Sequence, residues 1–300
     1  MKQIIHSLWT LPMISSWRGM NGAKQLLINL YLYTISAWYI KKWEGKIDLY
    51  ADSLGIWLLE HAPYDGKYLS FEGIDYQTLP CWAAPKMMVM DYIKTPFTHI
   101  DGDVLIKSKK MFDLITDDKF DLITEGETST TKNYFMDWHK HYFINNTDKV
   151  KNVSTDNFCV TGVATFNNEE LKNKYLTSYF EYRNDIFSNS ERIFNSWQYD
   201  SFVPDLVIEQ CNLYQVSREF KTKGLLNEIL SIENADNDKS FSLFKEKCSD
   251  EYRHYAGIEK THMSIEYFRN MLKQLDIELY QKTREKESEL RKYLLIENEI

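Results

Sequence analysis

The feature that most constrains this chain is the alternation at its start. Gln3 to Leu8 is a short apolar run of strand length that ends in Trp9-Thr10-Leu11-Pro12. Gly19 and Gly22 punctuate the break that follows. Lys24 to Lys42 is then apolar on most faces, which predicts a helix covered on both sides. Lys46 to Tyr50 reads as a second strand, ending at Ala51-Asp52-Ser53. Ser53 reads as the cap of a helix that runs to about Glu60. Strand, helix, strand, helix in this order predicts an α/β fold: a Rossmann-like, mostly parallel central sheet flanked by crossover helices.

Farther along, Pro85 lies in the first turn of another helix that carries Met87, Met88 and Met90, with Pro80 just upstream. The methionines read as core packing. Thr95-Pro96 ends that helix, and Phe97-Thr98-His99-Ile100 is a short buried strand. Val104-Leu105-Ile106 leads away, Lys110 to Thr116 is a short helix, and Phe120 to Thr124 is a further strand. Gly126 to Asn157 is polar and weakly periodic, the character of a functional loop. Phe158 to Phe166 is a strand interrupted by Gly162, and a helix starts near Asn168. Asp205 to Leu213 reads as helical. From about Ser264 to the end the chain reads as one charged helix with Phe268, Met271, Leu275 and Leu279 on a stripe. The expected organisation is one large domain over 1–262 and a C-terminal helical extension over 263–300.

Composition removes several classes of function. The chain has 300 residues, 43% of them hydrophobic, enough for one large core plus an appendage. With 36 Lys and Arg against 44 Asp and Glu, the net charge of −8 argues against nucleic-acid binding, which needs a basic face. Leu26 to Ile40 is the longest apolar run, but Asn29, Thr34 and Ser36 interrupt it and it is shorter than a membrane span. Cys81, Cys159, Cys211 and Cys248 are scattered, which suits a reducing compartment. The opening residues reach His6 after two apolar positions, so no signal peptide is expected, and the expected location is the cytoplasm.

The chemistry concentrates at two places. Asp101 and Asp103 flank Gly102 at the carboxyl end of the buried strand, the edge where open α/β sheets bind ligands. Residues i and i+2 share a face, so both carboxylates aim at one point and repel unless a cation sits between them. Mg²⁺ or Mn²⁺, which takes carboxylate and phosphate oxygens together, is the natural occupant. About 150 residues later comes His254-Tyr255-Ala256-Gly257-Ile258-Glu259-Lys260. It offers an imidazole for the metal, a glycine for close backbone approach and a lysine for a leaving diphosphate.

In this order the two motifs resemble those of the glycogenin-like retaining glycosyltransferases, carbohydrate-active family eight, with its A-type glycosyltransferase fold. The resemblance implies that Asp101, Asp103 and His254 hold the metal, and that Lys260 and the Gly257 backbone contact the diphosphate. It implies a nucleotide-sugar donor, with uridine diphosphate the default, a saccharide or other hydroxyl acceptor, and retention of configuration. Ile4-Ile5-His6-Ser7-Leu8-Trp9 resembles the opening strand of the mannosyltransferase-like enzymes, which implies that His6, Ser7 and Trp9 line the nucleotide edge. Lys86 falls where the glycogenin-like family often has a basic residue on the donor. Glu209-Gln210 resembles its "DQ" dipeptide near the acceptor, and Val160-Thr161-Gly162-Val163 its "NSGV" strand, with Val for Asn and Thr for Ser. Thr261 and His262 replace the usual proline and tryptophan after the lysine, the mark of a divergent, bacterial-looking branch such as builds polysaccharide.

Two other readings use the same residues. His99-Ile100-Asp101-Gly102-Asp103-Val104-Leu105 comes close to the opening motif of haloacid-type phosphatases, but the fifth motif position is Leu105 and the motif lies behind two strand–helix units. A non-catalytic sugar-nucleotide-binding protein is the other alternative. His139 and His141 offer an i, i+2 pair with no third ligand in view, so they read as a solvated loop rather than a zinc site. His99 reads as a satisfied core histidine. The C-terminal helix reads as a packing or self-association element, with a peripheral membrane contact left open by its mixed charge.

Overall fold

The computed structural model describes residues 2–11, 22–74, 83–129, 143–189, 207–226, 229–231, 251–255 and 263–294. Pro80, Cys81, His139, His141, Cys248, Gly257, Lys260 and the Gly19 loop lie outside them. The chain divides into two compact units. Met1–Ile74, Ile100–Leu114 and Ser242–Ile300 form the first, and Asp75–His99 with Ile115–Phe241 the second. The C-terminal helices share a core with the N-terminal strands of the first unit.

In the first unit, β1 (Gln3–Leu8), α1 (Gly22–Lys42), β2 (Ile47–Ala51), α2 (Ser53–Leu58) and β3 (Gly66–Leu69) follow in order. The strands lie β3-β2-β1 and both pairs are parallel, with Ile4 opposite Ile47 and Asp48 opposite Gly66. The α/β reading therefore holds. Two details differ. The cap of α2 is Asp52, not Ser53: its Oδ1 accepts from Gly55 N at 2.9 Å, while the Ser53 hydroxyl donates to Glu72. The Asp52 carboxylate also accepts from Thr10 N, Thr10 Oγ1 and Leu11 N, which ties the end of β1 to the start of α2. Strand β3 has no apolar run to announce it: its residues are Gly66-Lys67-Tyr68-Leu69, with Tyr68 and Leu69 exposed.

Helix α1 is the centre of this unit. Fourteen of its residues are buried, including Leu26, Tyr31, Ile35 and Ile40. It is buried all round because strands and helices both pack on it. Its core partners include Leu49 and Leu105 from strands, and Phe268, Leu272, Leu279 and Leu290 from α7 (Ile265–Leu275) and α8 (Ile277–Tyr293). The expected single C-terminal helix is broken at Asp276, whose extended backbone ends α7 and whose side chain caps α8 through Leu279 N. Glu287 on α8 is buried and accepts from Tyr31 of α1 at 2.5 Å, from Arg284 at 2.5 Å, from Arg291 at 2.8 Å and from both Nε and Nη2 of Arg269. Burial raises the pKa of its carboxyl, but the bonds from Arg269, Tyr31 and Arg291 outweigh that and hold it at about 2. No helix among the described residues is long and apolar enough to cross a membrane.

The second unit holds α3 (Ala84–Tyr92), β4 (Phe97–Ile100, but for its last residue), β6 (Leu122–Ser129), β7 (Asn157–Phe166), α5 (Glu169–Ser188), α6 (Asn212–Thr222) and β8 (Ile229–Ser231), in strand order β4-β7-β6-β8. Strands β6 and β7 are antiparallel, whereas β6 and β8 are parallel. The polar stretch after Thr124 is strand as far as Ser129, not loop: across a register shift between Thr124 and Gly126, β7 spends two residues more than β6, and pairing then resumes. A π-helical turn, Val207–Cys211, precedes α6, and Gly224 at φ +69° ends that helix in the left-handed conformation glycine tolerates. Met87 and Met90 are buried as expected, but Met88 is 40% exposed, since it falls on the outer face of a helix covered on one side. Cys159, Cys211 and His99 are buried.

Candidate metal centre

Asp101 follows the last residue of β4, and the chain turns at once: Val104 N donates to Asp101 O at 2.9 Å. The turn feeds β5 (Val104–Ile106), which pairs antiparallel with β9 (Tyr252–His254) and sets Val104 opposite His254. Tyr255 N donates to Asp103 O at 3.0 Å, which extends the ribbon by one step. The pairing alone thus brings the imidazole beside the carboxylates across about 150 residues of sequence. His254 Nε2 lies 3.5 Å from Asp103 Oδ1, and one ligand atom from each of Asp101, Asp103 and His254 falls within 4.8 Å of the others. All three side chains are partly exposed.

This donor set fits a hard divalent cation with borderline tolerance for nitrogen. Oxygen ligands of Mg²⁺ sit at about 2.0–2.1 Å, so octahedral ligands stand about 3.0 Å apart when adjacent and about 4.2 Å when opposite. Three donors within 4.8 Å reach those spacings with small side-chain movements. The remaining positions would be open to water or phosphate oxygen.

Below the site lies a polar layer set into α1. The Tyr33 ring is flush against Gly102: a Cβ there would come within 2.1–2.3 Å of its ring carbons. Glycine between the aspartates is therefore a steric requirement of this floor. Tyr33 Oη donates to Ser7 O at 2.7 Å. Burial and then the Asp103 and Asp101 charges push the phenol well above its ordinary range. One turn on, Ser36 Oγ donates to Val104 O at 2.6 Å and lies 3.4 Å from His6 Nε2. His6 Nδ1 is 2.8 Å from Tyr64 Oη. Burial lowers the His6 pKa to about 3, against an upward pull from Asp103, so the ring is neutral. Because Ser36 donates to Val104, the consistent tautomer has Nε2–H donating to Ser36 and Tyr64 donating to Nδ1.

The other sequence-read residues fall as follows. His6 has no exposed surface and lies beneath the site. Ser7 serves as the backbone acceptor for Tyr33. Trp9 is 6% exposed and its indole N–H has no hydrogen-bond partner among the described residues. In the second unit, Lys86 is buried, donates to Thr161 O at 2.6 Å and pairs with Glu209 Oε1 at 2.9 Å. Thr161 Oγ1 donates to the same oxygen at 2.6 Å, and Glu209 Oε2 has no hydrogen-bond partner among the described residues. Gln210, half-buried, shares the π-helical turn. Tyr33, Ser36 and Tyr64 were not read as part of the site from sequence. The available signal was the polar interruption of an otherwise apolar helix at Ser36.

No curated protein matches the chain. Among solved structures, it is similar to the galactosyltransferase LgtC in complex with donor and acceptor sugar analogues, at 10% identity and a TM-score of 0.40 over 93% of this chain and 95% of that one. It is also similar to the inositol-1-phosphate CTP transferase from T. maritima, at 12% identity and a TM-score of 0.36 over 77% and 86% of the two chains. The apo-form glycosyltransferase GlyE of Streptococcus pneumoniae TIGR4 aligns at 11% identity and 0.35 over 91% of this chain and 64% of its own. A family described as of unknown function, DUF6734, matches residues 1–286, and the chain belongs to that family.

Proposed function

We propose that this protein is a metal-dependent glycosyltransferase that moves a sugar from a nucleoside diphosphate donor, by resemblance uridine diphosphate, to a hydroxyl of a saccharide acceptor. The observation that carries this reading is the convergence of Asp101, Asp103 and His254 on one point. A haloacid-type phosphatase uses its aspartates as nucleophile and acid and has no call for a third, imidazole ligand beside them. A diphosphate-binding metal site does.

In this reading Asp101, Asp103 and His254 hold Mn²⁺ or Mg²⁺. When bound, the ion supplies Lewis-acid stabilisation of the leaving nucleoside diphosphate. Lys260 adds positive charge to the same leaving group, and the Gly257 backbone approaches it closely. Ser7 and Trp9, at the end of β1, stand toward the nucleotide. Lys86, Glu209 and Gln210 are the candidates for the sugar and acceptor side, where the Glu209 carboxylate is suited to accept from a hydroxyl. Retention of configuration follows from the resemblance. The C-terminal helices are assigned to packing, with self-association or a peripheral membrane contact as further roles.

The test is release of nucleoside diphosphate from a panel of sugar nucleotides, with Mn²⁺ or with chelator. Metal-dependent release from at least one donor is expected. Hydrolysis of simple phosphate monoesters that needs Asp101, or binding of every donor without turnover, would contradict the proposal.

A further inference from the structure

We infer that Tyr33 and Ser36 of α1 are positioning residues for the metal-ligating carboxylates, acting by clamping the peptide groups on either side of Asp103. The inference rests on the metal reading of the site and adds to it the part of the fold that sets ligand geometry.

The clamp has three fixed points. Gly102, before Asp103, lies flush against the Tyr33 ring. Val104 O, after Asp103, accepts from Ser36 at 2.6 Å. Asp103 O itself accepts from Tyr255 N at 3.0 Å. Tyr33 and Ser36 are three residues apart on one helix and so share a face, which makes the spacing between the first two points a property of a rigid element. Both anchors are in turn held from behind. Tyr33 Oη reaches Ser7 O at 2.7 Å, and Ser36 sits in the chain Tyr64, His6, Ser36, Val104 O.

The energetic need for such a clamp is specific to this site. Two carboxylates held near one another repel until a cation arrives. A free Asp-Gly-Asp turn would relax apart, and binding would have to reassemble it. Ordering the turn beforehand removes that cost from the binding step. A hydroxyl deleted from Tyr33 or Ser36 leaves the three ligands in place but frees the backbone that aims them. Loss of such supporting bonds commonly weakens metal affinity about 10- to 100-fold.

The experiment is Mn²⁺ titration followed by electron paramagnetic resonance on the full chain, with thermal denaturation of the metal-free proteins alongside. Tyr33→Phe keeps the ring against Gly102 and removes only the hydroxyl; Ser36→Ala removes the bond to Val104. The expected result is Mn²⁺ affinity about 10- to 100-fold weaker in each variant. Asp103→Asn combined with either substitution should show no further loss, since both act through one ligand. If Ser36→Ala fails to fold, Tyr33→Phe alone decides, because it conserves core volume. Wild-type affinity in Tyr33→Phe, with the wild-type protein binding Mn²⁺ normally, overturns the inference and leaves the metal reading intact. Absence of Mn²⁺ binding by the wild-type chain overturns both.

Discussion

His254 Nε2 stands 3.5 Å from Asp103 Oδ1, although about 150 residues separate them, because β9 pairs with β5 in the register that sets His254 opposite Val104. A single antiparallel register thus assembles the third ligand. Substitution at these positions should separate binding from folding. Asp103→Ala is expected to lower metal-dependent turnover by about 100-fold or more, the scale of losing one preorganised electrostatic group. His254→Gln should do the same less severely, and both proteins should keep the wild-type circular dichroism spectrum. Activity measured across a Mn²⁺ series checks it: higher metal should partly restore His254→Gln.

Gly102 makes a second, steric prediction. A Cβ at this position would meet the Tyr33 ring at 2.1–2.3 Å, and the ring is held by its own hydroxyl bond to Ser7 O. Gly102→Ala should therefore destabilise the protein by about 1–3 kcal/mol, as overpacking does. Combining it with Tyr33→Leu should recover part of the loss. Equilibrium denaturation of the two variants measures both effects.

His6 gives a pH dependence. Its pKa falls from 6.5 to about 3 on folding, chiefly through burial. Above pH 6.5 the ring is neutral in both states and contributes nothing. Below that value the unfolded chain takes up a proton that the folded chain refuses, so stability falls with pH down to about 3. The slope approaches about 1.4 kcal/mol per pH unit. Between about pH 6 and pH 5, before carboxylates titrate, His6→Gln should flatten the acid limb of a stability–pH curve by close to one proton.

The Lys86–Glu209 pair, 2.9 Å apart and almost wholly buried, predicts strong non-additivity in the second unit. Lys86→Met or Glu209→Gln leaves the other group without its partner and should cost about 3–5 kcal/mol. The double variant should cost clearly less than the sum. Chemical denaturation of the four proteins in a cycle reads the coupling.

Much of this arrangement was legible in the sequence, and the rest was hidden for identifiable reasons. β1, α1 and β2 announce themselves through apolar runs of the right length, and the four buried residues of β4 point straight at Asp101. Strand β3 carries lysine and glycine in four residues, so its pairing with β2 decides its conformation and not its own composition. β6 continues through Glu125 and Gly126 because β7 supplies partners across the register shift, a tertiary fact with no local signal. Asp52 outcompetes Ser53 as a cap because it also gathers the Thr10 and Leu11 amides, which lie about 40 residues away in sequence. The carboxylate pair of the site was visible from its spacing. His254 was legible as an imidazole donor within its own motif, but only strand pairing explains its proximity. Tyr33 and Ser36 were invisible as site residues because a buried helix shows its polar positions without saying which strand they face.

The most direct measurement is anomalous diffraction at the manganese edge from crystals soaked with Mn²⁺ and uridine diphosphate. The account predicts one strong peak bonded to Asp103 and His254, with Asp101 next to it and diphosphate oxygens completing the coordination. A peak elsewhere, or a nucleotide bound with no metal at these three residues, would contradict it.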